Sequence, residues 1–306
     1  RSHICRRHTH SHRHRSVRRA RRLNLPEIRL QTTADSRLTF IGAGNMASAM
    51  IHGLLRAGIN SAQINVADPV ADARARLAEL GVSTFSDNNE AVAGAQAVVL
   101  AVKPQVARQV VESISALQPE QLLVSIAAGI NLASLTQWTS QQQAIVRCMP
   151  NTPALLGAGV SGLYANGNCD DNQRALAERL LRSAGTTLWV EAESELDAVT
   201  AVSGSGPAYF FLLMEAMIDA GVELGLDRAS ATELTLKTAH GAALMAQQDN
   251  TNPAQLRQNV TSPGGTTAAA LDVMLAADIP GTIKTALQAA QKRAIDMAQE
   301  FGGNPS

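Results

Sequence analysis

Aromatic side chains are scarce in this chain: two Trp, two Tyr and five Phe in 306 residues. With 45% of residues apolar, the core must rest on Ala, Val, Leu and Ile. Cysteines number three, Cys5, Cys148 and Cys169, an odd set without paired metal spacing. That argues against a disulfide framework and points to a reducing, cytoplasmic compartment. Histidine is almost missing from the body of the chain. Five of the seven lie at or before His14, leaving only His52 and His240, each in a helical pattern. A centre of two or three histidines in the folded part is therefore not expected, and no metal is assigned. These two histidines and Cys148 read as packed side chains, and Lys237 as a solvated helix residue. No span approaches the roughly 20 apolar residues of a membrane helix, so no membrane partner is expected.

Net charge is also lacking: the formal total is zero. The distribution is lopsided, however. Residues 1–22 carry nine Arg and no acid, against 26 acids in the rest of the chain. Residues 1–36 hold no sustained apolar periodicity and read as a disordered Arg/His-rich extension. Such a composition also suits a nucleic-acid-binding arm or an organellar presequence. Nucleic acid is not the expected partner of the body.

What is present begins at Leu38-Thr39-Phe40-Ile41-Gly42-Ala43-Gly44-Asn45-Met46-Ala47. A short apolar run breaks at Gly42-Ala43-Gly44, and an amphipathic helical pattern follows. Strand, glycine turn and helix form the G-x-G-x-x-G/A fingerprint of a dinucleotide site. The glycines let backbone amides reach a pyrophosphate, and the helix N-terminus adds unpaired N–H groups and partial positive charge. Asp68 ends the next strand, where an acid accepts hydrogen bonds from a ribose and favours NAD over NADP. Arg74 and Arg76 follow on the next helix, so NADPH and NADH both stay open.

Strand and helix patterns alternate from Arg37 onward. Strands are expected at 38–41, 64–68, 82–85, 97–102, 122–125, 145–148, 159–164 and 187–190, with helices between most of them. That alternation predicts an α/β fold, a Rossmann-type doubly wound parallel sheet with ligand at the carboxyl ends of its strands. Three strand ends carry further candidates: Ala101-Val102-Lys103-Pro104, Ala127-Ala128-Gly129 and Met149-Pro150-Asn151-Thr152-Pro153. From Glu195 the pattern is helical throughout and rich in Ala, Leu and Met. This predicts a dinucleotide domain over 37–193 and an all-helical domain over 194–306, with apolar faces suited to an oligomer interface. Two glycine-rich segments, Ser203-Gly204-Ser205-Gly206-Pro207 and Thr261-Ser262-Pro263-Gly264-Gly265-Thr266-Thr267, are expected to open helices there. Each would offer amides to an anion, so an anionic small molecule is the expected substrate.

The ordered set IGAGNM, AVKP, AAG, MPNTP, DAVTAVSGSGPAY and NVTSPGGTTAAAL resembles the pyrroline-5-carboxylate reductase family over roughly Arg37 to Gly302. The resemblance implies a Rossmann domain joined to a helical dimerisation domain. It also implies NAD(P)H-dependent reduction of 1-pyrroline-5-carboxylate to L-proline, the last step of proline biosynthesis. Cofactor contacts would fall on Ile41, Gly42, Ala43, Gly44, Asn45, Met46, Asp68, Asn88, Ala101, Val102, Lys103, Pro104, Ile126, Ala127, Ala128 and Asn259. Substrate contacts would fall on Ser262, Gly265, Thr266 and Thr267, near Ser205 and Gly206. The resemblance further implies homodimers whose sites draw on both subunits, and dimers that build into decamers.

The chemistry agrees with the residues. A protonated imine is already electrophilic, so its reduction needs placement near a hydride donor more than a metal or a strong acid. Thr267 is assigned the catalytic role of orienting the ring nitrogen, with amides from Gly265 to Thr267 holding the carboxylate. The alternative enzyme class is a β-hydroxyacid dehydrogenase. It would require a helical lysine with an Asn or His relay, and Lys237, the only plausible candidate, has Gly241 rather than Asn four residues later. A non-enzymatic regulator using the basic extension is the other alternative.

Overall fold

The computed structural model describes residues 37–248 and 251–302. The expected N-terminal disorder lies outside these residues. Strand β1 (Arg37–Ile41) is followed by α1 (Asn45–Arg56), β2 (Ile64–Ala67), α2 (Ala71–Ala78), β3 (Ser83–Phe85), α3 (Asn88–Val92), β4 (Ala95–Leu100) and α4 (Pro104–Ser113). Then come β5 (Leu122–Ser125), α5 (Leu132–Trp138), β6 (Ala144–Met149), β7 (Gly159–Ala165), α6 (Asp171–Arg182) and β8 (Gly185–Trp189).

The eight strands make one sheet in the order β3-β2-β1-β4-β5-β6-β7-β8. Successive side chains point to opposite faces, so each strand feeds two cores. Leu38, Phe40, Val66, Val99, Val124 and Val146 pack with Met50 and Leu54 of α1 and Leu180 of α6. Ile41, Ala67, Val98, Leu100, Leu123 and Ile145 pack with α3, α4 and α5 on the other face. Burial on both faces explains why the central strands are nearly unbroken apolar runs. The two polar side chains buried in β1 and β2, Thr39 and Asn65, both donate to the Ala91 carbonyl, at 2.7 and 3.0 Å.

The sheet departs from the expected all-parallel form at one pairing. β6 and β7 are antiparallel, with β8 parallel to β7. A parallel neighbour needs a crossover of about a dozen residues or more. The link from Met149 to Gly159 is shorter and holds only a one-turn 3₁₀ helix at Thr152–Leu156, so the chain doubles back.

The remaining elements are helices: α7 (Glu195–Val199), α8 (Gly206–Glu223), α9 (Arg228–Gln248), α10 (Pro253–Asn259), α11 (Thr266–Ala276) and α12 (Ile279–Gly302). A π turn at Thr200–Gly204 joins α7 to α8. The joined helix, Glu195–Glu223, is long and apolar enough to cross a membrane by length and composition, contrary to the expectation from sequence. Its composition has another use, because α8 packs against α9 and leaves Phe210, Phe211 and Leu212 largely exposed. α11 packs against α12 and buries no residue of its own. α12 returns along α7 and the π turn to end on α5, where the Ser134 hydroxyl donates to the Gly302 carbonyl at 2.9 Å.

Candidate functional site

Four parallel strands deliver their loops to one edge of the sheet. Gly42 N–H donates to Ala67 O at 2.7 Å, Ala101 N–H to Ile41 O at 2.8 Å, and Ile126 N–H to Leu100 O at 3.1 Å. The ends of β1, β2, β4 and β5 are thereby tied side by side.

Gly42 and Gly44 serve different needs. Gly42 sits at φ +104°, and a Cβ there would lie 2.5 Å from Ala101 O. The turn is tight because β4 crosses directly beside it. At Gly44 a Cβ would meet nothing within 4 Å. Gly44 caps α1 in extended backbone, and no side chain closes the helix. Ser48 N–H is the first to bond back, to Gly44 O at 2.9 Å. The amides of Asn45, Met46 and Ala47 thus have no partner within the helix. They form a cradle that a Cβ would fill, with the positive end of α1 behind it. Ala47 is fully buried, so its smallness lets the helix approach the sheet.

Asp68 stands beside this cradle and is fixed on both oxygens. Its Oδ2 accepts from Ala43 N–H and its Oδ1 from Val70 N–H, each at 2.8 Å. Arg74 Nη1 donates to the Asp68 carbonyl at 2.6 Å, holding a guanidinium nearby. A carboxylate oxygen has more than one acceptor direction, so Asp68 keeps capacity for ribose hydroxyls. Uncapped amides for a diphosphate and a fixed acid for a ribose fit a nicotinamide dinucleotide.

Other expected cofactor residues lie around the same edge. Asn88 begins α3 directly after its cap, Asp87, and is half-buried. Lys103 is exposed and precedes Pro104, the first residue of α4. Ala127 is buried, with Ile126 and Ala128 half-buried on either side. This loop turns at Gly129 (φ +74°), where a Cβ would lie 2.9 Å from Met297 Cβ of α12.

The Met149–Pro153 and Ser203–Pro207 segments meet. Asn151, buried between its two prolines, donates to Ser203 O at 3.2 Å and accepts from Val160 N–H at 2.9 Å. A Cβ on Gly204 would lie 2.6 Å from Met149 Cε. Ser205 and Gly206 are thus drawn to the carboxyl end of β6. Gly206 opens α8, as the sequence suggested, but not from a free N-terminus. Ser205 N–H bonds five residues back, to Thr200 O at 2.9 Å, and the helix continues through its π turn. That amide is spent inside the helix, so the segment is not an anion cradle of the α1 kind.

The second glycine-rich segment does open a helix. Gly264 turns at φ +68°, Gly265 caps α11 in extended backbone, and no side chain closes the N-terminus. Ala269 N–H is the first to bond back, to Gly265 O at 3.1 Å, leaving the amides of Thr266, Thr267 and Ala268 without helix partners. Ser262, Thr266 and Thr267 are exposed, as is Asn259, whose Oδ1 accepts from Gln255 at 2.9 Å. Among the described residues, no hydrogen bond or ion pair joins Pro253–Ala276 to the residues before β8.

Sequence reasoning missed a charged group at the junction. Glu193 Oε1 accepts from Leu132 N–H at 2.7 Å and from Arg147 Nη1 at 2.5 Å. An arginine inside the apolar strand Ile145-Val146-Arg147-Cys148 was the available signal, since a charge so placed needs a partner. Asp197 faces the same group. Burial raises its pKa above the usual carboxylate range, Arg147 opposes the rise, and Glu193 adds to it. Cys148 is buried, and burial pushes its thiol far up. Contrary to expectation, His52 and His240 are exposed rather than packed, while Lys237 is exposed on α9 as expected.

Two family models match the chain. One, described as pyrroline-5-carboxylate reductase dimerisation, matches residues 193–297. The other, described as NADP oxidoreductase coenzyme F420-dependent, matches residues 37–129. A pyrroline-5-carboxylate reductase of Pseudomonas aeruginosa is 52% identical over 268 residues, covering 87% of this chain and 98% of the relative. One from Haemophilus influenzae is 45% identical, covering 86% and 98%. Among solved structures, a pyrroline-5-carboxylate reductase of Coxiella burnetii is 40% identical with a TM-score of 0.81, covering 86% and 99%. One of Plasmodium falciparum, described with NADP bound, is 31% identical with a TM-score of 0.78, covering 87% and 100%.

Proposed function

The chain belongs to the pyrroline-5-carboxylate reductase family, and from that premise we infer how its residues divide the work. It reduces 1-pyrroline-5-carboxylate to L-proline with NAD(P)H in proline biosynthesis. One observation carries the assignment of roles: two helices, α1 and α11, start on glycine with no side-chain cap and with free amides in front.

In this reading the Asn45–Ala47 amides, with Gly42 to Gly44, hold the diphosphate. Asp68 takes the adenosine ribose. Ile41, Asn88, Ala101 to Pro104, Ile126 to Ala128 and Asn259 line the rest of the dinucleotide. When bound, NAD(P)H supplies the hydride. The amides of Thr266 and Thr267, with Ser262, hold the substrate carboxylate; the Gly265 amide, expected to join them, instead donates to Ser262 O at 3.0 Å. The Thr267 hydroxyl hydrogen-bonds the ring nitrogen and fixes the imine carbon's orientation. Ser205 and Gly206, drawn to the sheet edge through Asn151 and Met149, form a wall of this pocket rather than an anion site.

We assign the second cradle to a partner subunit, with domains at 37–193 and 194–306. The dimerisation model over 193–297 supports this. Decamers of five dimers and a cytoplasmic location complete the reading. Free Cys148 and Cys169 support the latter, and a sedimentation mass of ten chains would support the former.

Oxidation of NADH and NADPH, followed separately with 1-pyrroline-5-carboxylate, tests the roles. Thr267→Ala is expected to lower kcat about 100-fold while leaving cofactor KM nearly unchanged. The reverse pattern would move Thr267 out of the reaction centre. Asp68→Ser is expected to shift preference toward NADPH, because it removes the charge that repels a 2′-phosphate. An unchanged ratio would mean that Asp68 does not touch the ribose.

A further inference from the structure

The loop Ile126–Ile130 is braced at two places, by the junction that leads into the helical region and by that region's last helix. At the start of that region, Glu193 accepts from Leu132 N–H, the first residue of α5 and the loop's exit, at 2.7 Å. The same oxygen accepts from Arg147 at 2.5 Å. Arg147 is the strand partner of Ser125, the residue immediately before the loop. At the end of the region, Met297 fills the space left by the missing side chain of Gly129. Gly302 O accepts from the Ser134 hydroxyl, and the Ser134 backbone N–H donates to the α5 cap Asn131. The Arg147 side chain is 11% exposed and that of Glu193 29%, so the pair is largely withdrawn from water.

We propose that Glu193, with Arg147, is a positioning pair for hydride transfer: it clamps the Ile126–Ile130 loop to the start of the helical region. The inference rests on the reading above, in which Ile126 to Ala128 line the dinucleotide, and it places the nicotinamide ring against this loop. The substrate cradle belongs to the helical region of an assembled enzyme. The distance between hydride donor and imine carbon therefore depends on how the loop is held against that region. A surface ion pair would contribute little. This one also caps a loop exit through a backbone N–H, and its loss leaves a shielded guanidinium unpaired. Small displacements of a reacting centre can cost on the order of 100-fold in rate. The chemistry of the pair is geometric; neither residue is asked to transfer a proton.

The test uses the assembled enzyme with saturating substrate and with NAD(P)H carrying deuterium at the transferred position. Glu193→Ala is expected to lower kcat about 30-fold and to raise the isotope effect on kcat, with both KM values within about threefold. Glu193→Gln still accepts from Leu132 N–H, so a loss of about threefold to fivefold is expected. Met297→Ala, which loosens the same loop from the other side, should move kcat and the isotope effect in the same direction. A folded Glu193→Ala enzyme with unchanged kcat would overturn the proposal. So would a kcat loss that merely follows the folded fraction in a thermal melt, with the isotope effect unchanged. Ala128→Val separates the two readings. If it impairs cofactor use while Glu193→Ala does not, the nicotinamide placement stands and the clamp falls. If Ala128→Val changes nothing, the placement itself is wrong.

Discussion

At the scale of single residues, one glycine answers to the protein and the other to what the protein holds. Gly42 has a positive φ and a carbonyl 2.5 Å from where a Cβ would be. Gly42→Ala should therefore destabilise the fold by about 1–3 kcal/mol from backbone strain alone, before the clash is counted. Gly44 has ordinary backbone angles and open space in front. Gly44→Ala should leave the urea midpoint close to wild type yet raise KM for NAD(P)H about tenfold, roughly 1.4 kcal/mol of lost binding. If Gly44→Ala leaves that KM unchanged, the open space is not the diphosphate's. The thiols give an independent check of burial. Cys148 is buried and Cys169 half-buried, and burial raises the pKa of both thiols. In the native enzyme at pH 8, mass-spectrometric mapping of a thiol reagent should find Cys148 unmodified and Cys169 slow, with both reacting in urea. Rapid labelling of Cys148 without denaturant would contradict the packing of β6.

At the scale of elements, the strands were legible because a parallel sheet leaves a plain trace: short apolar runs separated by helical periods. The reversal of β7 was legible too, in the short link after Met149, but the repeating pattern outweighed it. The π turn was not. Ser203-Gly204-Ser205-Gly206-Pro207 has the composition of a helix break, and only the five-residue-back bond of Ser205 shows that the helix runs on. The glycine turn and the α11 cradle could be read because uncapped helix starts have a local signature. The Asn151–Ser203 and Glu193–Arg147 contacts join residues 52 and 46 apart, which no local pattern discloses. The start of α7 carries a pH consequence of that junction. Burial first of all raises the pKa of Asp197, with Glu193 adding to the rise and Arg147 opposing it. The folded chain therefore holds this proton to higher pH than the unfolded chain does. From the ordinary carboxylate value of 3.8 up through the raised one, stability falls as pH rises. Asp197→Asn removes that dependence. Its urea midpoint relative to wild type should climb as pH rises from the ordinary carboxylate value through the raised one, and then level off. A flat difference would mean that Asp197 titrates normally in the native state.

At the scale of the molecule, a single chain is left with surface that water does not favour. Phe210, Phe211, Leu212, Val273 and Leu275, on α8 and α11, are each at least half exposed. Patches of this kind mark interfaces in soluble proteins. The match to a dimerisation model over residues 193–297 supports the reading proposed above, in which another copy covers them. The same α11 that exposes Val273 begins with the amide cradle assigned to the substrate. Burying the apolar face and completing the active site are then one event. Val273→Asp tests this directly. By two-fold symmetry each substitution acts twice, removing about 1.5–3 kcal/mol of apolar burial per copy and adding an unpaired charge. Sedimentation should show the variant as monomer at micromolar concentration, with helical content retained by circular dichroism. Reductase activity should be lost in proportion to the lost dimer. Wild-type specific activity should fall on dilution and return when the enzyme is concentrated. A Val273→Asp monomer with full activity per chain would mean that one chain can bring Ser262–Thr267 against its own Gly42–Ala47 turn, and the shared-site architecture would be withdrawn.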